Sequence, residues 1–128
     1  MNNHYCLLCN LIKHLEQRYY VDDGCHSDPV QADDFLGTYH PKSFNAGIRC
    51  CKDPAASTGD CITIDRCDDG TGNVPYDEAV SKCQASSNHQ RLCTKDELLS
   101  DICCGSGGQC DDYPVWTSTL VTGNSLDN

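Results

Sequence analysis

Two groups of side chains in this sequence have the types and spacing that chemistry needs. Cys6 and Cys9 form a Cys-x-x-Cys pair, with His14 and the dipeptide Cys25-His26 downstream. Thiolate sulfur and imidazole nitrogen are the ligands zinc prefers, so these residues could fill a Cys₃His or Cys₂His₂ site. Such a pair can also be a redox couple, although the βαβ pattern that usually carries one is missing. The competing reading makes Cys6 and Cys9 two more disulfide staples, tying the N-terminal segment to Cys25 or to the rest of the chain. The second group is Asp65, Asp68, Asp69 and Asn73 around Gly70-Thr71-Gly72. Calcium takes about six to eight oxygens, often at a flexible turn, which makes this loop a candidate calcium site. Its spacing is not that of an EF-hand, and Asp111-Asp112 is a weaker second candidate. The plainer reading is a polar turn in an acidic chain.

Catalytic constellations are harder to find. Gly105-Ser106-Gly107-Gly108 lacks the nucleophile-elbow pattern. His4, His14, His26, His40 and His89 are scattered, mostly among turn-forming residues. Aspartates abound, but an abundance of surface carboxylates is not a glycosidase pair. Trp116 and Tyr113 could stack on a sugar, yet Trp116 sits in an alternating segment where core packing is the better assignment. The chain is therefore expected not to be an enzyme.

The residues that must hold any site are the cysteines. Twelve of the 128 residues are cysteine: Cys6, Cys9, Cys25, Cys50, Cys51, Cys61, Cys67, Cys83, Cys93, Cys103, Cys104 and Cys110. That density marks a disulfide scaffold. Aromatic residues make up only 7% and mean hydropathy is −0.51, so the apolar core is small. Disulfides offset a small core by restricting the unfolded chain, typically by ~2–4 kcal/mol each. An even count allows six bridges, with roughly ten thousand possible pairings. Adjacent pairs Cys50-Cys51 and Cys103-Cys104 are not expected to bond internally, because a ring between neighbours strains peptide and disulfide alike. Each pair should instead send two staples in different directions. Cys83 and Cys93 should help close the helical half, and Cys103 or Cys104 should close the Gly-rich loop with Cys110.

Bridges persist in oxidising compartments, so a secreted, extracellular location is expected. The opening residues do not read as a conventional export signal: Cys6, Cys9 and Asn10 break the apolar run, and no small-residue cleavage site follows. Either the chain is already processed, or it is part of a larger protein, or its start is atypical. No stretch approaches the ~20 apolar residues of a membrane span. Net charge is −10, with −3 in residues 1–43 and −7 in residues 44–128. Such a surface disfavours nucleic acid and anionic membranes as partners. It suits cations, basic proteins or neutral sugars.

The pattern of residues divides the chain near residue 43. Leu7, Leu8, Leu11, Ile12 and Leu15 fall on one helical face, which predicts a helix over residues 7–20. Residues 21–43 read as loop, with turn signals at Asp28-Pro29 and His40-Pro41. Residues 1–43 thus form an N-terminal helix-and-loop appendage, and residues 44–128 a cysteine-rich module. In the module, residues 46–51, 61–64, 91–93 and 115–121 read as strands, and residues 76–86 as a helix. Thr94 and Glu97 form a capping box that opens a second helix running to about Ile102.

Tyr76-Asp77-Glu78-Ala79, Cys83, the run Arg91–Leu98 and Val115-Trp116-Thr117-Ser118 together resemble the first half of a C-type lectin-like domain. Residues 44–120 also resemble cysteine-rich modules of extracellular proteins from algae and marine invertebrates. The resemblance implies a small, disulfide-rich α+β domain in which two short helices flank a small antiparallel sheet. It implies that Thr94, Glu97 and Trp116 are fold determinants. Gly47-Ile48-Arg49-Cys50 resembles the last strand of such domains, but precedes the Trp strand here. The calcium-and-sugar motifs of the lectin family are absent, so no site carries over.

The expected function is that of a structural or interaction module in an extracellular assembly, such as a cell wall, matrix, filament or appendage. Its partners would be other extracellular proteins, copies of itself, or glycans, and it would need no cofactor. The first alternative is a calcium-dependent lectin using Asp65, Asp68, Asp69 and Asn73. The second is a zinc or redox protein using the N-terminal cysteine pair.

Overall fold

The computed structural model describes residues 16–26, 36–88 and 91–121. Cys6, Cys9, His4, His14 and His89 lie outside these residues. Two three-stranded antiparallel sheets and two short helices make up the fold, which is a small disulfide-rich α+β domain.

The first sheet contains β1 (Arg18–Asp23), β2 (Thr38–Pro41) and β6 (Pro114–Val121), in the order β2-β1-β6. Sequence periodicity predicts helix as far as residue 20, but residues 18–20 are strand. The physical reason is the run Tyr19-Tyr20-Val21, whose aromatic and β-branched side chains suit a pleated surface. All three are buried, with β1 central in its sheet. Arg18 lies opposite Val121, and Asp23 lies opposite Pro114. The expected boundary near residue 43 therefore falls between strands that share one packed unit, since β1 pairs with both β2 and β6.

The second sheet contains β3 (Ile48–Cys51), β4 (Cys61–Ile64) and β5 (Arg91–Leu92), in the order β4-β3-β5. Every residue of β3 is buried, as expected of a central strand. An isolated bridge from Gly47 to Val115 in β6 joins the two sheets, and a second ties Ala46 to Val74 ahead of the first helix. The join requires glycine at position 47. A Cβ there would collide with the Cys67 sulfur and sit 3.2 Å from the Pro114 carbonyl oxygen.

Helix α1 (Tyr76–Gln84) follows a turn that ends in Pro75. Proline before a helix has no amide to leave unsatisfied. Asp77 and Glu78 in the first turn and Lys82 in the last complement the helix dipole. Its buried face carries Tyr76, Ala79 and Cys83. Helix α2 (Lys95–Leu99) is shorter than the run to Ile102 that its pattern predicts, and ends in Ser100. Asp101 follows at φ 65°, a left-handed conformation that cannot continue a helix. Trp116 is fully buried in the main core. Its indole N–H donates to the Val74 carbonyl at 2.8 Å, and its ring meets Tyr76 and Phe44 edge to face.

Candidate functional site

Five disulfides form among the described residues: Cys25–Cys104, Cys50–Cys83, Cys51–Cys93, Cys61–Cys103 and Cys67–Cys110. Each adjacent pair diverges. Cys50 faces α1 while Cys51 faces the opposite side of β3, because neighbouring residues in a strand point to opposite faces. The Gly-rich loop is closed differently from the sequence expectation. Cys110 bonds Cys67, not Cys103 or Cys104, because Cys103 turns inward to Cys61 and Cys104 reaches Cys25.

Two of these bridges touch. The Cys51 sulfur lies 3.7 Å from that of Cys61 and 3.8 Å from that of Cys103, and the Cys93 and Cys103 sulfurs are 3.6 Å apart. All four cysteines are buried, with Ala55 and Ile102 packed against them. They come from β3, β4, the residue after β5, and the turn after α2.

Beside this sulfur cluster lies Arg49, fully buried in β3. Its guanidinium gathers four segments. Nη1 donates to the carbonyls of Gly24 and Cys103, both at 2.6 Å. Nη2 donates to the Asp111 carboxylate at 2.7 Å and the Gly107 carbonyl at 3.3 Å. Nε donates to the Thr63 hydroxyl at 3.0 Å. Burial pushes the Arg49 pKa down and Asp111 opposes this. Asp111 also accepts from the Gly105 amide, so it pins the Gly-rich loop to the core. A cavity of about 300 Å³ opens over this loop, lined by Gly105, Gly107 and residues 109–113. Tyr113, a candidate stacking ring, lies at its edge. Trp116 is in the core and cannot stack on a ligand.

The candidate calcium loop has a different arrangement. Asp68 accepts two hydrogen bonds from Arg66, at 2.9 and 2.7 Å. That contact holds its carboxyl below the usual range. Asp69 accepts from the Thr71 amide and hydroxyl, which lower its pKa in turn. Asp65 pairs with Lys82 at 3.1 Å. The Asn73 side-chain oxygen is buried without a partner. Among the described residues, these three carboxylates do not converge on one point. Arg66 pairs with Asp68 and lies 3.9 Å from Asp69, and Lys82 pairs with Asp65.

Two further side-chain contacts, of Asp22 with Tyr20 and His26 and of Arg91 with Glu97, escaped the sequence reading. The buried Asp22 carboxylate accepts from Tyr20 at 2.8 Å and lies 2.9 Å from His26 Nδ1. Desolvation, reinforced by Asp22, pushes the Tyr20 pKa up. The neighbouring Cys25 is bridged to Cys104. Arg91 makes a two-pronged contact with Glu97, 2.7 Å on each side. Glu97 also accepts from the Thr94 amide while Thr94 accepts from the Glu97 amide, the two halves of the capping box. Arg91 thus anchors the N-terminus of α2 to β5. It also helps line a second cavity, of about 370 Å³, with Asp53, Ser87 and Asn88.

Comparison with protein-family models, curated proteins and solved structures finds no match. The class of protein is set by its own geometry: among the described residues, a small α+β domain held by five bridges and one buried arginine. Among the described residues, no helix is long and apolar enough to cross a membrane.

Proposed function

We propose that this chain is a structural or interaction module of an extracellular assembly, with a C-type lectin-like arrangement of its helices and Trp strand. It contacts other extracellular proteins, copies of itself, or glycans, and performs no catalysis. One observation carries this reading: the chemically capable side chains are spent on holding the fold. All ten described cysteines are bridged, and Arg49, Asp111, Arg91, Glu97 and Asp22 are bonded to neighbours within the domain. Such a framework offers a rigid surface and resists unfolding outside the cell. Its acidic charge favours basic or neutral partners.

The test uses the full oxidised chain. Sedimentation velocity across a concentration series reads self-association, and a glycan array with a panel of basic extracellular proteins reads the other partners. Saturable binding in at least one of these, lost after reduction, supports the proposal. A chain that stays monomeric and binds nothing on either panel refutes it.

A further inference from the structure

The sulfurs of Cys51, Cys61, Cys93 and Cys103 all lie within 4.8 Å of one another. A zinc ion held by four thiolates at about 2.3 Å has sulfur–sulfur edges of about 3.8 Å. Three edges of the present cluster, at 3.6, 3.7 and 3.8 Å, already have that length. The edge from Cys61 to Cys93 is also within 4.8 Å. Only the two bonded edges, Cys51–Cys93 and Cys61–Cys103, are too short. We infer that reduction of these two disulfides turns the cluster into a closed tetrahedral site for zinc or a similar thiophilic divalent metal. This inference goes beyond the proposed function, because it assigns the sulfurs a second chemical state.

The surroundings suit a closed site. The four cysteines come from four chain segments, so one ion would tie together what two disulfides tie now. Ala55 and Ile102 pack against the sulfurs and leave an apolar shell. Four thiolates around a divalent ion carry a net charge of about −2. Arg49 stands next to them, with Nη1 on the Cys103 carbonyl and its own carbonyl accepting from the Cys93 amide at 3.3 Å.

The conversion can be written in balanced steps. Cys61 is the one member with residual exposure, 5% against 0% for the others. A dithiol reductant attacks as thiolate at the Cys61 sulfur, forms a mixed disulfide, and releases the Cys103 thiolate. The reductant's second thiol loses its proton and closes onto its own sulfur, releasing the Cys61 thiolate. The Cys103 thiolate, 3.6 Å from the Cys93 sulfur, attacks it, forms Cys93–Cys103 and frees the Cys51 thiolate. A second dithiol reduces that bond in the same way. Two dithiols are oxidised to two cyclic disulfides, and four cysteine thiols result. Metal binding then releases their four protons.

The experiment reduces the full chain with dithiothreitol without denaturant, desalts it anaerobically, and titrates it with cobalt(II). Iodoacetamide mapping by mass spectrometry then identifies the protected cysteines. The expected result is one cobalt per chain with the absorption of tetrahedral thiolate coordination. Cys51, Cys61, Cys93 and Cys103 should be alkylated without cobalt and protected with it, and the alkylation of every other cysteine should not depend on cobalt. Cys103→Ser should abolish the absorption. Because that variant could misfold, the double change Cys6→Ser with Cys9→Ser is the second arm, and it should leave cobalt binding unchanged. No tetrahedral absorption, protection of a different set, or loss of binding in the double variant would overturn the inference.

Discussion

Arg49→Met should destabilise the domain severely, and its cost can be worked out acceptor by acceptor. Replacing both partners of a buried ion pair with apolar groups can be neutral, whereas removing one strands the other. Methionine removes all five donors at once. The Cys103 carbonyl keeps the Ser106 amide and hydroxyl as donors. Asp111 keeps the Gly105 amide and is 34% exposed, so water relieves part of its loss. The 3.3 Å contact to Gly107 is weak. The Gly24 carbonyl is the acceptor most fully stranded, which costs about 1–3 kcal/mol. The Asp111, Cys103 and Thr63 contacts add about 0.5–1 kcal/mol each, for a total of roughly 3–5 kcal/mol. At about 4 °C per kcal/mol for a domain of this size, Tm should fall by roughly 12–20 °C. Differential scanning calorimetry on the oxidised variant, with all bridges checked by mass spectrometry, measures it. Asp111→Asn keeps an acceptor but removes the countercharge of the buried Arg49, so it should cost about 3 kcal/mol. A drop below about 5 °C for Arg49→Met, with bridges intact, would refute the idea that this guanidinium holds four segments together.

Four further outcomes are expected. Mass spectrometry of the unreduced, denatured chain should find two free thiols or none, and any found should map to Cys6 and Cys9; a thiol on one of the other ten contradicts the described bridges. Glu97 is pushed up by burial but pulled further down by Arg91 and the Thr94 amide, so its folded pKa lies below its unfolded one. Its stabilisation is therefore complete above about pH 4.3 and lost as pH falls through the folded value. The stability gap between the wild type and Glu97→Gln, about 1 kcal/mol at neutral pH by urea unfolding, should close on acidification, and a constant gap would contradict the ion pair. Gly24→Ala would drive a Cβ into the Cys110 carbonyl and to 2.9 Å from Arg49 Nη1, so oxidative refolding yield should collapse, and normal yield would show that the site can yield. Trp116→Phe loses the bond to Val74 and leaves a void, so urea unfolding should show a loss of about 2–3 kcal/mol, and an unchanged midpoint would place Trp116 outside the core.

Much of the local structure was legible in the sequence, and most of the tertiary structure was not. Thr94 and Glu97 announce a capping box because their partners lie three residues apart, within a single turn. The same locality explains why helix α1 and strands β3, β4 and β6 could be placed from turn signals and alternation. β1 was missed because leucines at residues 7–15 suggest a helix that runs past its end, and the β-forming character of Tyr19-Tyr20-Val21 is felt only when β6 lies alongside. The cysteine pairing was illegible for a similar reason: Cys103 and Cys104 differ only in which face of a tight turn they occupy. Arg49 sits in a buried strand where charge looks out of place, and that misfit was the one available signal of its role. In the acidic loop, composition suggested a cation site. Arg66 and Lys82 pair with Asp68 and Asp65 there through contacts that spacing alone does not reveal.

The antiparallel pairing of β1 with β6 has a mechanical consequence. Arg18 and Val121 are register partners, so tension entering at one and leaving at the other loads the rungs of this ladder one at a time. The strands would peel apart at low force, like a zip, from Arg18 and Val121 towards Asp23 and Pro114. Peeling then meets covalent stops, Cys25–Cys104 on one side and Cys67–Cys110 on the other. In a strained filament or wall, each domain would surrender a short, fixed length of slack and then hold.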